Sequence, residues 1–442
     1  MKKLYMILCA AFVAASFSAQ AENAWGLQGA GTEADPYQIS TAADIQALAT
    51  NISATNKGTG EYFKMMNDID MNGAAYPNIG KGGIENILTI NYGFNGTFDG
   101  NGKTIKGINH NVTTNVLDGK WNGVFASVDT LGVVKNLVIG ADNTLSGYTY
   151  TSGVAAICKG TITNCVNNAN ISSANAYAAG ICGFLVNLLG TVDNCTNNGD
   201  ITAKTYACGI VGGTQNISGS DFNYVVTNNT NNGNMSTING VGSSGIIGVF
   251  AGGTLVGNTN NGTIDDSKGT ASSKLYTAGI VSCLYTHKKC EGNVNKGSVS
   301  GNKHVGGVVA YVMKSTLTSI AISNNTNEGA VTGTQNVGGI VGNTIMAQDV
   351  VTISNCTNSG VVTCSDETTV GNLRGSSLIA LGEGNVIAKG LQHLALDPEA
   401  TGITNVTVTR PATGVAYNLA GQRVAPTAQG VVIIDGKKYI NK

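Results

Sequence analysis

The densest set of metal-type side chains in this 442-residue chain is Cys283, His287, Cys290 and Glu291. Thiolate, imidazole and carboxylate are donors that zinc accepts, but C-x3-H-x2-C is not a zinc spacing. A solvated loop is the expected reading. Asp68, Asp70 and Asn72 alternate along N-D-I-D-M-N. On a strand that alternation puts three oxygen donors on one face, as calcium would require. Asp99-Gly100-Asn101-Gly102 is a second set of this kind. For both, turns whose Asx side chains bond their own backbone are expected instead. The four histidines, His110, His287, His304 and His393, are read as falling at unrelated positions of the chain's repeat. There is no G-x-S-x-G and no glycine-rich phosphate loop. No catalytic residue, metal ligand or cofactor is assigned.

Tyrosine offers a different chemistry. Tyr150, Tyr177, Tyr206 and Tyr276 each stand three residues before a glycine, at Gly153, Gly180, Gly209 and Gly279. A column of tyrosines is a candidate sugar-stacking platform, since the ring face is apolar and the hydroxyl is a polar handle. Strand parity opposes this. The offset from Ile181 or Ile210 is even, and an unbroken strand would turn the tyrosines inward with those residues. Interior or corner packing is therefore the preferred reading, and a binding face the alternative.

The elements that position these residues form a repeat. A polar turn, T-N-N-G in its clearest copy, places asparagines at Asn167, Asn197, Asn231, Asn260, Asn295, Asn327 and Asn358. Subtraction gives steps of 30, 34, 29, 35, 32 and 31 residues. Two positions on stand Gly199, Gly233, Gly262, Gly297, Gly329 and Gly360, with Ala169 in the first copy. A unit of this period cannot bury its own apolar face and must stack on its neighbours. The segments GIVG, GIIG and GVVA are too short for helices and rich in β-branched residues, so they read as strands. Asn and Gly suit left-handed corners, and stacked corners would align the asparagines in an amide ladder. An all-β, elongated, parallel β-helix with about one repeat per rung follows. Its right-handedness is expected from the chirality of parallel crossovers.

VGGIVG (337–342) and the related strands resemble GLUG-motif repeats of bacterial surface proteins. GFNGTFDGNGKTIKGI (93–108), GVFASV (123–128) and GVVKNLVI (132–139) resemble the opening rungs of such proteins. Residues 31–49 and 62–73 resemble the segment that precedes them. The resemblance covers roughly residues 27–365. It implies a secreted or cell-surface protein, such as an adhesin or the non-catalytic part of a large secreted protein, some immunoglobulin A peptidases among them. The chain has no H-E-x-x-H, so nothing of a peptidase domain carries over.

The rest of the chain fits export. Lys2 and Lys3, an apolar run from Leu4 to Phe17 and Ala19-Gln20-Ala21 read as a signal peptide with its cleavage site. Cys9 lies inside the apolar run, too early for a lipoprotein signal. Charged residues make up 12% and the net charge is −1, which leaves no basic footprint for nucleic acid. No later apolar run reaches the ~20 residues of a membrane helix. The segment 36–50 reads as a helix capped by Ser40 or Thr41, with Ile45, Leu48 and Ala49 on one face. With a strand at 62–66 it is expected to cover the open N-terminal end of the β-helix. Cys165, Cys195 and Cys356 share a repeat position, and Cys182 and Cys208 lie in core strands. Buried thiols are expected, while Cys158/Cys165, Cys283/Cys290 and Cys356/Cys364 are near enough in sequence to close loops.

After Gly384 the repeat stops. Residues 402–442 alternate as strands, with Asp435-Gly436 as a hairpin signal. Tyr417–Val424 and Gly430–Ile434 resemble the type IX sorting domain of secreted Bacteroidota proteins. The usual proline-asparagine-proline opening is missing; only Arg410-Pro411 is near. The expected division is a signal peptide (1–21), cap and first rungs (22–115), repeats (116–384), linker (385–401) and a small C-terminal β domain (402–442). The expected function is non-enzymatic binding of host glycan or protein at the cell surface. The C-terminal segment would meet the secretion machinery. A structural stalk and a carbohydrate-active enzyme are the alternatives.

Overall fold

The computed structural model describes residues 23–398, except 87–88, 218–219, 240, 270–274, 287, 314–316 and 318. Beyond that it describes 415–418, 420–425, 430–434 and 437–441. The signal peptide, His287 and Asp435-Gly436 lie outside the described residues. The chain forms two units that divide between Asp397 and Pro398.

The first unit is a parallel β-solenoid of about ten turns. Each repeat makes one turn from five short strands. Residues 161–185 show the pattern: Thr161–Thr163, Val166–Asn167, Ile171–Ser173, Tyr177–Ala179 and Cys182–Leu185. Each strand pairs in parallel with its counterpart one turn on, as in Thr161↔Thr191, Asn167↔Asn197, Ile171↔Ile201, Tyr177↔Tyr206 and Cys182↔Val211. Five sheets result, with 12, 11, 9, 9 and 8 strands in the order in which a turn visits them. We call them the first to fifth sheets.

The interior is held by apolar stacks and by asparagine. Asn167, Asn197, Asn231, Asn260, Asn295, Asn327 and Asn358 are all fully buried. Each Nδ2 donates to the Oδ1 of the next in line, at 2.7–2.8 Å. The same Nδ2 donates to the carbonyl two residues on, Ala169 in the first copy and glycine afterwards. A buried amide left unpaired is costly, so the ladder works only as a set.

The corner is not where the sequence suggested. The ladder asparagines lie in the second sheet, facing inward. The left-handed corner sits three residues earlier, at Asn164, Asn194, Asn228, Gly257, Gly292, Asn324 and Asn355, all with φ between 51° and 69°. Between corner and ladder runs a second interior column. It begins with Cys165 and Cys195, continues through Asn229, Asn258, Asn293 and Asn325, and returns to Cys356. Asn229 and Asn258 each donate to the next member at 3.0 Å, and Cys195 N donates to Asn229 Oδ1 at 2.9 Å.

At the N-terminal end the helix Ala42–Asn51 is capped by Thr41. Asp44 N donates to Thr41 Oγ1, and the Asp44 carboxylate accepts from the backbone of Ser40 and Thr41. This reciprocal pair satisfies donors that a helix start leaves open. Ile45 and Leu48 are fully buried and join the same core as Phe63 and Met65 of the strand Tyr62–Met65.

At the other end, residues 385–397 are not the linker expected. Val386–Ile387 pairs with Thr357–Asn358, and Asn385 Oδ1 accepts from Cys356 N. The Asp397 carboxylate accepts from Asn372 N, from Asn372 Nδ2 and from Leu394 N. These bonds fasten the segment to the last turns.

None of the candidate disulfides forms among the described residues. All nine described cysteines are thiols, and all but Cys364 are buried. Burial pushes the Cys158, Cys208 and Cys290 thiols up to about 12. The second unit contains a four-stranded antiparallel sheet, ordered Arg423–Val424, Ala416–Tyr417, Gly430–Ile434, Lys437–Asn441. In that sheet Ile434 pairs with Lys437.

Candidate functional site: an outward tyrosine groove

The fourth and fifth sheets meet at the Gly-Ile corner of each repeat. There Gly180 N donates to Gly209 O and Ile181 N to Ile210 O. The corner separates the tyrosine strand from the strand after the glycine, so alternation does not run through it. Ala178 and Ala207 face the core. Tyr177 and Tyr206 therefore point outward, contrary to the inward orientation that unbroken parity predicts. Tyr150 and Tyr177 pack into a separate outer cluster with Ile84, Trp121, Ala156, Ile157 and Phe184.

The second glycine of G-I-x-G seats the tyrosine stems. A Cβ at Gly183 would lie 3.3 Å from Tyr150 Cβ, and one at Gly212 would lie 3.1 Å from Tyr177 Cβ. Tyr150, Tyr177 and Tyr206 then stack. Their centroids are 5.4 and 4.9 Å apart and successive rings lie 7° and 8° from parallel. The rings cover one another's faces, so the row is not the open platform considered from sequence. The row lies outside the solenoid's main core, at the spacing of the rungs. Phe184 meets the edges of Tyr150 and Tyr177 from the fifth sheet.

One rung interrupts the row. Tyr206 pairs with Gly242, and Gly242 with Tyr276. A Cβ at Gly242 would lie 2.7 Å from Tyr206 Cε1, so the ring leans over the glycine. Aromatic residues then resume. Tyr276 stacks on His304 at 5.7 Å, and Tyr311 of the fifth sheet lies 5.0 Å from Tyr276 and 4.7 Å from His304.

His304 corrects the sequence reading. It does not fall at an unrelated position: it stands three residues before Gly307, the offset that defines the tyrosine row. The shared offset was the signal, hidden by the change of residue type. Its backbone is left-handed, with φ 54°. Asn336 Nδ2 and Asn343 Nδ2 lie 3.3 and 3.1 Å from its Nδ1. An amide nitrogen can only donate, so Nδ1 accepts and Nε2 carries the proton. Burial, with Lys303 nearby, lowers its pKa to about 4 and keeps the ring neutral at physiological pH.

Burial pushes the Tyr150 and Tyr276 phenols up to about 12 and those of Tyr177 and Tyr206 further, with no Asp, Glu, Lys or Arg contributing. Behind the groove lies one buried carboxylate. Asp266 Oδ1 accepts from Thr237 N, Thr237 Oγ1 and Ser243 Oγ, each at 2.8 Å, and Oδ2 accepts from Thr277 Oγ1 at 3.1 Å. Burial raises its pKa in spite of these bonds. A carboxyl raised in the folded state contributes stability below its unfolded pKa and loses it as pH rises through the folded one. An amide keeps all four contacts, because Thr277 Oγ1 can accept from Nδ2. Asp266→Asn is thus expected to raise the melting temperature at pH 7, with the gain vanishing below about pH 4. Thermal melts of both proteins across that range check this.

The remaining candidates serve the fold. Asp68 Oδ1 accepts from Thr104 N, and Asp70 Oδ1 from Asn72 N. Asp99 Oδ1 accepts from Asn101 N and Asn136 Nδ2. Both sets are Asx turns, paired to Lys106 and Lys135. Cys290 is buried in the core cluster, and Glu291 pairs with Lys289. His110 packs on Tyr76 at 5.1 Å. His393 lines a cavity of about 470 Å³ between Val361–Cys364 and Gly390–Ala395.

No protein-family profile matches the chain. Over 123 residues it is 33% identical to a provisionally named Gly-rich membrane protein of Evansella cellulosilytica, covering 28% of this chain and 13% of that one. Over 151 residues it is 26% identical to the halomucin of Haloquadratum walsbyi, covering 33% of this chain and 2% of halomucin. The chain thus spans a small part of the curated relatives it matches. Among solved structures it is similar to a provisionally named immunoglobulin A1 protease from Bacteroides ovatus. That match has 20% identity and a TM-score of 0.34, over 85% of this chain and 84% of the other.

Proposed function

We propose that the chain is an exported, non-enzymatic surface protein that binds glycan along the groove between its fourth and fifth sheets. The observation that carries this is the row of stacked tyrosines outside the main core at rung spacing, with no charged side chain among the groups that shift their phenols. The spacing favours glycan over protein. Rungs repeat every ~4.8 Å, close to the length of one pyranose unit, whereas an extended peptide advances ~3.3 Å per residue and slips out of register.

The names of the two curated relatives accord with a surface location. The apolar segment 4–17 supports export, and the GLUG-like strands support an adhesin-like role. Among the described residues no helix is long and apolar enough to cross a membrane, which says nothing of a β-barrel. The segment 402–442 would be the address read by the secretion machinery. A structural stalk is the second reading, supported by the unbroken interior amide ladder.

A glycan array probed with the chain from residue 22 on separates the two. Binding to one class of neutral glycan, lost in Tyr177→Ala without a change in fold by circular dichroism, is the expected result. An array without any signal would leave the stalk.

A further inference from the structure

Resting on the glycan-binding reading of the groove, we propose that His304, Tyr276, Tyr311, Asn336 and Asn343 form its specificity subsite, which takes a single neutral hexopyranose unit. The groove has two unlike ends. Around Tyr150, Tyr177 and Tyr206 it is apolar, with Ile157 and Phe184 opposite. Beyond Gly242 the same two columns carry His304 and Asn336 on one side and Tyr311 and Asn343 on the other. Between the ends the columns are pared down one after the other: Gly213, in the rung of Tyr206, has a Cβ position 2.9 Å from the Phe184 ring, and in the next rung Gly242 follows in the fourth sheet with Val249 in the fifth.

The His304 end is built for neutral hydrogen bonding. Two amides hold Nδ1, which fixes the tautomer and directs the Nε2 proton the other way. Among the described residues no group accepts from Nε2. The ring is fixed between Tyr276 and Tyr311. Asn343 is itself anchored, its Oδ1 accepting from Thr344 N at 2.8 Å. A histidine at φ 54° in a strand is strained, and such strain persists where the surroundings impose it, often at binding sites. Aromatic edges, one fixed N–H donor and phenol hydroxyls suit the hydroxyls and C–H face of a sugar. Among the described residues no carboxylate or arginine is among the groups shifting these tyrosines, which suits a neutral sugar better than a uronic acid. Lys303 is exposed beside the histidine and, among the described residues, is the one cation that bears on it.

The test is calorimetric titration of the chain from residue 22 on with cellohexaose, mannohexaose and trigalacturonate. Binding of a neutral hexasaccharide is expected, weakened about tenfold in His304→Phe, the worth of one good hydrogen bond. The phenyl ring keeps the stack but takes the acceptor from two part-buried amides, so the fold should hold with a modest fall in melting temperature. If His304→Phe fails to fold, Asn336→Ala combined with Asn343→Ala releases Nδ1 and should give the same loss. Lys303→Gln should leave the affinity unchanged. Full affinity in His304→Phe, with loss only in Tyr177→Ala, overturns the subsite and leaves the groove reading intact. Binding of trigalacturonate alone, lost in Lys303→Gln, overturns the neutral assignment. No binding of any of the three removes both.

Discussion

Gly262→Ala is expected to destabilise the solenoid by more than about 4 kcal/mol, the range reserved for severe steric or packing faults. The reason is distance. A Cβ at Gly262 would lie 1.7 Å from the carbonyl oxygen of Gly233 and 3.0 Å from Asn231 Nδ2. Backbone cannot move aside there, because Gly233 stands in the same relation to Gly199, and Gly297 to Gly262. The glycine is demanded by close stacking. Ala169, the first copy, marks the exception: beneath Asn167 lies Ile139, not a ladder asparagine. Ala169→Gly should therefore cost no more than about 1 kcal/mol, the backbone-entropy term alone. Urea unfolding followed by circular dichroism measures both. Equal midpoints for Gly262→Ala and Ala169→Gly would refute the stacking explanation.

The second large effect is expected at Asn231. Its Nδ2 donates to Gly233 O and to Asn260 Oδ1, and its Oδ1 accepts from Asn197 Nδ2. Asn231→Leu is similar in size but strands one donor and two acceptors inside a dry core. With each orphaned group costing about 1–3 kcal/mol, and some relief from local repacking, the loss should reach about 2–4 kcal/mol. Asn198→Leu is the control. Asn198 sits on the exposed side and donates to Asn168 Oδ1 there, where water replaces the bond. The same denaturation series should show almost no change for it. Comparable losses in the two variants would mean that the interior ladder adds nothing beyond surface amide pairing.

Much of the scaffold was readable because its constraints are periodic. The ladder asparagines and the glycines two positions on recur with little variation, and the short β-branched runs exclude helices. The helix start was read to Ser40 or Thr41, and the structure takes Thr41. What failed was local. The left-handed corners fall on Asn194 and its equivalents, because the inward Asn197 is needed as a hydrogen-bonding core residue in an extended strand. Parity misdirected the tyrosines, because a two-residue corner at Gly180-Ile181 restarts the alternation. The column continuing Cys195 as Asn229 was hidden by a switch from thiol to amide. His304 was hidden in the same way, since a stack accepts any flat ring and a search for tyrosine passes over imidazole. The glycine spacing of G-I-x-G was visible, but its purpose was not, since only the fold brings Gly212 under Tyr177.

That the groove is the binding face can be tested most directly by chemical footprinting of tyrosine. The chain from residue 22 on is exposed to hydroxyl radicals with and without saturating neutral hexasaccharide, and the modified sites are mapped by mass spectrometry. Protection confined to Tyr177, Tyr206 and Tyr311, with Tyr62 of the first sheet unchanged, is the expected result. Protection elsewhere, with these three modified as fast as in the free protein, would contradict it.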